Sequence, residues 1–144
     1  MKISIGNDHA GYQLKKDIIN FLHEKGIETL NFGTDTAESV DYPDFAHATM
    51  TSLTTGETDL SILICGTGNG ICMTANKWKD VRAALCWKAE IAILAKQHND
   101  ANVLCLPARF LSTEEALNIV EVFLETEFEG GRHQKRIDKI NTNF

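Results

Sequence analysis

Apolar and polar positions alternate along the 144-residue chain in two distinct rhythms. Short apolar runs bounded by turn residues read as strands at 2–6, 27–32, 59–65, 81–86 and 102–106. Between them, apolar residues recur at three- and four-residue intervals, the mark of helices with one buried face. Over 11–25, Leu14, Ile18, Phe21 and Leu22 share such a face, and Gly26 is a natural stop. A Tyr-Pro pair opens a helix over 41–55, and the glycine-rich turn at 66–70 feeds a short helix reaching Lys77. An alanine-rich helix follows over 87–98. The helix over 112–127 starts with a capping box, Ser112 and Glu115. Gly130 and Gly131 interrupt the pattern, and a last helix runs from Arg132 to about Ile140.

Five strands with intervening helices imply an α/β fold with a parallel sheet covered on both faces. Repeats and linkers are absent, so residues 1–144 read as a single domain. The DLSILIC run is apolar throughout, as a strand buried on both sides requires. In open sheets of this type, ligands bind beyond the carboxyl ends of the strands. Those ends are 7–9, 33–42, 65–70, 86–87 and 106–109; residues 98–100 close a helix and stand apart.

Composition narrows the function. With 43% hydrophobic and 24% charged residues, the chain is neither disordered nor a coiled coil. No stretch has the ~18 apolar residues of a membrane span, and the N-terminus turns polar too early for a signal peptide. The net charge of −6 disfavours nucleic acid as a partner. That charge is uneven: Arg132, Lys135, Arg136 and Lys139 against Asp138 give the last fifteen residues +3, leaving −9 for the rest. A basic tail on an acidic body suggests a local anion site. Cys65, Cys72, Cys86 and Cys105 form no C-x-x-C pair, which fits reduced thiols in a cytoplasmic protein.

The segment from Cys65 to Gly70 carries the most chemistry. Gly66, Gly68 and Gly70, alternating with Thr67 and Asn69, let the backbone turn tightly and approach a ligand. The helix that follows points N–H groups at the same spot, where an anion or a developing oxyanion is favoured. There Cys65 reads either as a reactive thiolate or as a small buried packing residue. The other three cysteines lack this setting and read as packing. The glycine spacing is not a P-loop, because Ile71 follows Gly70, nor a dinucleotide fingerprint, because it is G-x-G-x-G after the third strand. Asp8 and His9, after the first strand, suit hydroxyl binding or proton transfer; alternatively Asp8 caps a helix and His9 is merely exposed. His98 and Asn99 read as proton donor and polar anchor, or as an ordinary helix end. Arg132 and Arg136, four apart, share a helix face and suit a phosphate clamp, which Arg109 can join; the alternative is a solvated basic face. His23 and His47 read as surface residues. A thiol beside an amide-rich loop, two histidines and phosphate-suited arginines together match proton abstraction beside the carbonyl of a phosphorylated small molecule.

Five motifs in order carry a resemblance: G-N-D-H-A-G at 6–11, D-Y-P at 41–43, I-C-G-T-G-N-G at 64–70, H-N-D-x-N at 98–102 and E-G-G-R-H-x-x-R at 129–136. Together they resemble the type B ribose-5-phosphate isomerases, within a wider family that includes galactose- and allose-6-phosphate isomerases. The resemblance implies a Rossmann-like three-layer α/β/α sandwich with a C-terminal helix at a dimer interface. It implies a homodimer or homotetramer with active sites shared between subunits, and an aldose–ketose isomerisation of a small phosphorylated sugar that uses no metal or cofactor. By the same resemblance Cys65 is the base and His98 assists ring opening; in the mechanism that follows, Thr67 is expected to relay a proton between the sugar oxygens. Asp8, His9, Tyr42, Gly66, Thr67, Gly68, Asn69, Gly70 and Asn99 line the substrate, while Arg109, Arg132 and Arg136 bind its phosphate. Two departures stand out: Asn7 where many members have cysteine, and Pro107 where glycine is usual. The competing readings are a hexose 6-phosphate isomerase, a non-catalytic sugar-phosphate or nucleotide-binding domain, and a Cys–His hydrolase.

Overall fold

The computed structural model describes residues 1–142. Its five strands are β1 (Lys2–Asn7), β2 (Glu28–Asn31), β3 (Leu60–Cys65), β4 (Ala83–Leu85) and β5 (Val103–Pro107). All neighbours pair in parallel, in the order β2-β1-β3-β5-β4. The helices are α1 (Tyr12–Glu24), α2 (Tyr42–Thr54), α3 (Asn69–Ala75), α4 (Ala89–Asn99), α5 (Thr113–Glu125) and α6 (Arg132–Ile137), with single 3₁₀ turns at His9–Gly11 and Ala108–Phe110.

Strand alternation sorts the core into two layers. Ile3, Ile5, Ile62, Ile64, Leu104 and Leu106 face α1, α4 and α5, where Leu14, Ile18, Ala92, Ile119 and Phe123 meet them. Leu63, Cys65, Val103 and Cys105 face the other way, onto Ala46 and Met50 of α2 and Ile71, Cys72 and Ala75 of α3. The result is the three-layer sandwich that the motifs implied. From β1 the chain steps outward to β2, then crosses back to β3 and continues to the far side. The strand order therefore switches direction between β1 and β3, and the crevice beyond their carboxyl ends is the natural ligand position.

Several boundaries differ from the sequence pattern. β4 keeps three residues, because it is an edge strand and Val81, though buried, lies before it. α3 stops at Ala75 and α6 at Ile137, both short of the periodic pattern. The α5 capping box forms as expected, with Ser112 Oγ accepting from Glu115 N–H and Glu115 Oε1 accepting from Ser112 N–H. His47 is exposed but not unpartnered: its Nδ1 accepts from Trp78 Nε1 at 2.9 Å, a contact between helix and loop that one-dimensional spacing does not reveal. Among the described residues, no helix is long and apolar enough to cross a membrane.

Candidate active site

Cys65 ends β3 with its side chain in the α2/α3 layer, 4% exposed. Gly66 follows it. A Cβ there would lie 2.9 Å from Arg109 Nη1, so the absent side chain is what lets the guanidinium lie against the Gly66 backbone. Arg109 N–H donates to Gly66 O at 3.0 Å, which ties the turn after β5 to the turn after β3. Pro107 ends β5 just before that turn, buried, with φ −86°. Gly68 has φ +73°, and a Cβ on it would meet Leu85 Cδ1 at 2.4 Å and the backbone of Leu106 and Pro107 at 3.2 Å. Only glycine fits there. Gly70 touches the Tyr42 ring, with Cζ 2.4 Å from where a Cβ would sit. Thr67 is exposed, and its Oγ1 accepts from Asn69 N–H at 3.3 Å, which leaves the hydroxyl proton free to point outward.

The end of β1 lies beside the end of β3, Asp8 N–H donating to Ile64 O at 3.2 Å. Asp8 caps the 3₁₀ turn, its Oδ1 accepting from Ala10 and Gly11 N–H at 2.9 and 3.3 Å; the capping reading is thus correct for one oxygen, with Oδ2 outside the cap. His9 is half-buried and its Nδ1 accepts from Val40 N–H at 3.2 Å. A hollow of about 390 Å³ opens beside this edge, lined by Thr67, Asn69, Leu85, Trp87, Pro107 and Phe110. Cys65 and Arg109 lie next to this hollow, outside its wall.

The other cysteines are packing residues. Burial pushes the Cys86 thiol up to about 12 and raises that of Cys105 well above its ordinary value, so both stay protonated near neutrality. Cys72 is shifted down, chiefly because the Cys105 thiol donates to its sulfur.

The second group of expected residues lies elsewhere. α4 ends at Asn99, just before β5 begins at Val103. Arg82, which precedes β4, donates its Nε to Asn99 O and Asp100 O, both at 3.0 Å. His98 and Asn99 therefore sit at the amino edge of the sheet, with the length of β5, about 13 Å, between them and the Cys65 edge. Arg132 and Arg136 accompany them: Glu129 N–H donates to Gln97 O at 3.1 Å, and α6 packs against α4. The chain thus brings together Asp8, His9, Tyr42, residues 65–70 and Arg109 on one edge, and His98, Asn99 and the α6 arginines on the other.

His133 is the residue that motif reading passed over. It is 6% exposed and stacks on His98, with ring centroids 4.3 Å apart and planes 14° from parallel. Its Nε2 lies 3.4 Å from Glu129 Oε2. Burial, then His98 and Arg132, hold its pKa below the usual imidazole value, so His133 is neutral at pH 7. Candidate ligand atoms of His98, Glu129 and His133 lie within 4.8 Å of one another. Nearly parallel rings, however, carry lone pairs in separate parallel planes, which do not converge on one ion. This is the geometry of a stacked pair and not of a metal centre.

The sequence profile described as Ribose/Galactose Isomerase matches residues 3–140. The chain belongs to that family. Within the family, the ribose-5-phosphate isomerase B of Escherichia coli is 44% identical over 139 residues, covering 96% of this chain and 93% of that one. A ribose 5-phosphate isomerase from Thermotoga maritima superposes with a TM-score of 0.95 at 48% identity, covering 97% of each chain. The ribose-5-phosphate isomerase B of Mycoplasma genitalium, solved with bound ribulose-5-phosphate, superposes at 0.92 with 48% identity over 96% of this chain and 93% of that one. At these identities and coverages the fold and the family are shared over nearly the whole chain.

Proposed function

We propose that the protein interconverts D-ribose 5-phosphate and D-ribulose 5-phosphate through an enediolate, as a single catalytic domain in the cytoplasm. The observation that carries this reading is Cys65 at the switch point of the sheet, beside a glycine turn and Arg109, in a chain 48% identical to an isomerase seen with ribulose-5-phosphate bound.

The separation of the two residue groups gives the reading its quaternary form. A proton donor about 13 Å of strand away cannot serve the Cys65 thiol in the same chain. We infer a homodimer in which His98, Asn99, Arg132 and Arg136 of the partner subunit complete the site around Cys65. Exposed apolar side chains favour such a contact: Met73, Trp87, Phe110 and Ile140 are between 50% and 69% exposed, and Trp87 and Phe110 rim the hollow beside residues 67–69.

In this arrangement Arg109 and the two α6 arginines of the partner subunit grip the phosphate and so orient the sugar, which can supply several kcal/mol of the barrier. His98 of the partner subunit assists ring opening, with Asp8 and His9 on the sugar hydroxyls. The Cys65 thiolate takes the proton from carbon 2. N–H groups of residues 66–70 stabilise the enediolate oxygen, at roughly 3–4 kcal/mol per well-placed donor. Thr67 relays a proton between the two sugar oxygens, and return of the carbon-bound proton to carbon 1 gives the ketose. Base, donors and cations are all protein groups, so the step calls on no cofactor.

The test is a coupled isomerase assay on purified protein in the presence of chelator. It should compare ribose 5-phosphate with allose and galactose 6-phosphates. Preferred turnover of the pentose is the expected result. Preferred turnover of a hexose phosphate would move the substrate within the family, and binding of ribose 5-phosphate with no solvent deuterium entering the sugar would refute catalysis.

A further inference from the structure

The segment between β2 and α2, residues 32–41, forms neither strand nor helix, yet both its ends are fastened. Lys15 of α1 is 1% exposed despite its charge. Its ammonium donates to Thr34 O, to Asp35 Oδ1 at 2.6 Å and to Asn31 Oδ1 at 3.2 Å. Asn31 Nδ2 donates to the same Asp35 oxygen at 2.8 Å. Lys15, followed by Asn31, holds the Asp35 carboxyl below its ordinary pKa. From the other side Asn7 Nδ2 donates to Thr34 O, and Thr34 N–H donates to Asn7 O, each at 3.1 Å. A buried ammonium without partners is very unfavourable, so the loop is part of what solvates Lys15 and cannot drift away without stranding the cation.

The far end of the same loop delivers Val40 N–H to His9 Nδ1 at 3.2 Å. A backbone N–H only donates. Nδ1 must then be the bare nitrogen, and the neutral ring carries its proton on Nε2.

We propose that this Lys15-anchored loop is a tautomer lock: the Val40 amide holds His9 in the Nε2–H form, so that His9 offers a hydroxyl oxygen of the sugar a hydrogen-bond donor, and Lys15 is its positioning residue. The substrate half of this statement rests on the proposed isomerase reading; the tautomer half does not. Thr34 and Asp35, the residues Lys15 holds, are only five or six positions from Val40, so a shift at the anchor is carried to the His9 contact. Ordinary solution imidazole populates both neutral tautomers, and a ring that shows Nδ1–H to the loop would turn a bare Nε2, an acceptor with no proton to give, towards the substrate.

Long-range ¹H–¹⁵N correlation spectra of ¹⁵N-histidine-labelled protein, with His9→Gln used to assign the signal, read the tautomer directly. The wild-type His9 should show a bare Nδ1 and a protonated Nε2. Val40→Pro deletes the amide proton without touching Lys15 and should give a mixture of tautomers; Lys15→Met should do the same, and Lys15→Arg should restore part of the lock. In the isomerase assay, Val40→Pro should raise KM for ribose 5-phosphate about tenfold and leave kcat within about twofold, the pattern of lost uniform binding. Should Lys15→Met fail to fold, Val40→Pro alone decides. A protonated Nδ1 in the wild type, or an unchanged His9 tautomer in Val40→Pro, overturns the proposal. An inactive protein whose spectra still respond as expected would sink the isomerase reading and keep the lock.

Discussion

If the site is shared, two dead variants should rescue each other. Cys65→Ala removes the proposed base at one edge of the sheet; His98→Ala removes the proposed ring-opening group at the other, about 13 Å away along β5. Each homodimer then lacks one group at both of its sites and should lose about 10²–10⁴-fold in kcat. Equal amounts of the two, unfolded together and refolded, pair at random, so about half of the dimers are mixed. In a mixed dimer one site holds both defects and the other holds none. Half of the dimers with half of their sites intact predicts about a quarter of the wild-type activity per chain, a gain of at least about 25-fold over either parent. The assay is ribose 5-phosphate turnover at fixed total protein, before and after co-refolding. Were Cys65 and His98 to act within one chain, every chain in the mixture would carry a defect. Activity equal to the mean of the two parents would therefore refute the shared site.

Other perturbations probe the parts separately. Gly66→Ala places a methyl group 2.9 Å from the flexible tip of Arg109, so KM for ribose 5-phosphate should rise about tenfold with little change in thermal midpoint. Gly68→Ala meets backbone at 3.2 Å with φ +73°, and by contrast should lower the melting temperature as well as activity in the same two assays. Ser112→Ala opens the α5 capping box at a cost of about 1 kcal/mol, seen by denaturant titration, with turnover at 25 °C unchanged. Because the folded His133 binds its proton less tightly than the free side chain does, its stabilisation is complete above the ordinary value of 6.5 and fades as pH falls through it. Thermal melts between pH 7.5 and 5 should therefore show a decline that His133→Phe flattens.

The sheet was legible because its central strands are buried on both faces: LSILIC can be little other than a covered strand, and its alternation later sorts Ile62 and Ile64 from Leu63 and Cys65. The glycine turn was legible for a similar reason, since three glycines at alternate positions mark a backbone under close contact. The placement of His98 was less apparent, although the signal exists. A helix leading into a parallel strand must end at that strand's amino edge, so chain order alone sets His98 opposite Cys65. The burial of Lys15 had no such signal. It depends on Thr34 and Asp35 arriving from another part of the chain, and a lysine on an amphipathic helix reads as solvated until that loop is placed. His133 was obscured in the same way, its stack on His98 being a contact between α6 and α4.

Pro107 bears on what happens when the protein is not folded. Its ring restricts the denatured chain at the point where β5 must break off and carry Arg109 back towards Gly66. A glycine at that position would leave the disordered ensemble more backbone freedom to surrender, a difference on the order of 0.4–1 kcal/mol in favour of proline. The turn that carries Arg109 is thus steadied by conformations the unfolded polymer is denied, and Pro107→Gly should lower resistance to heat.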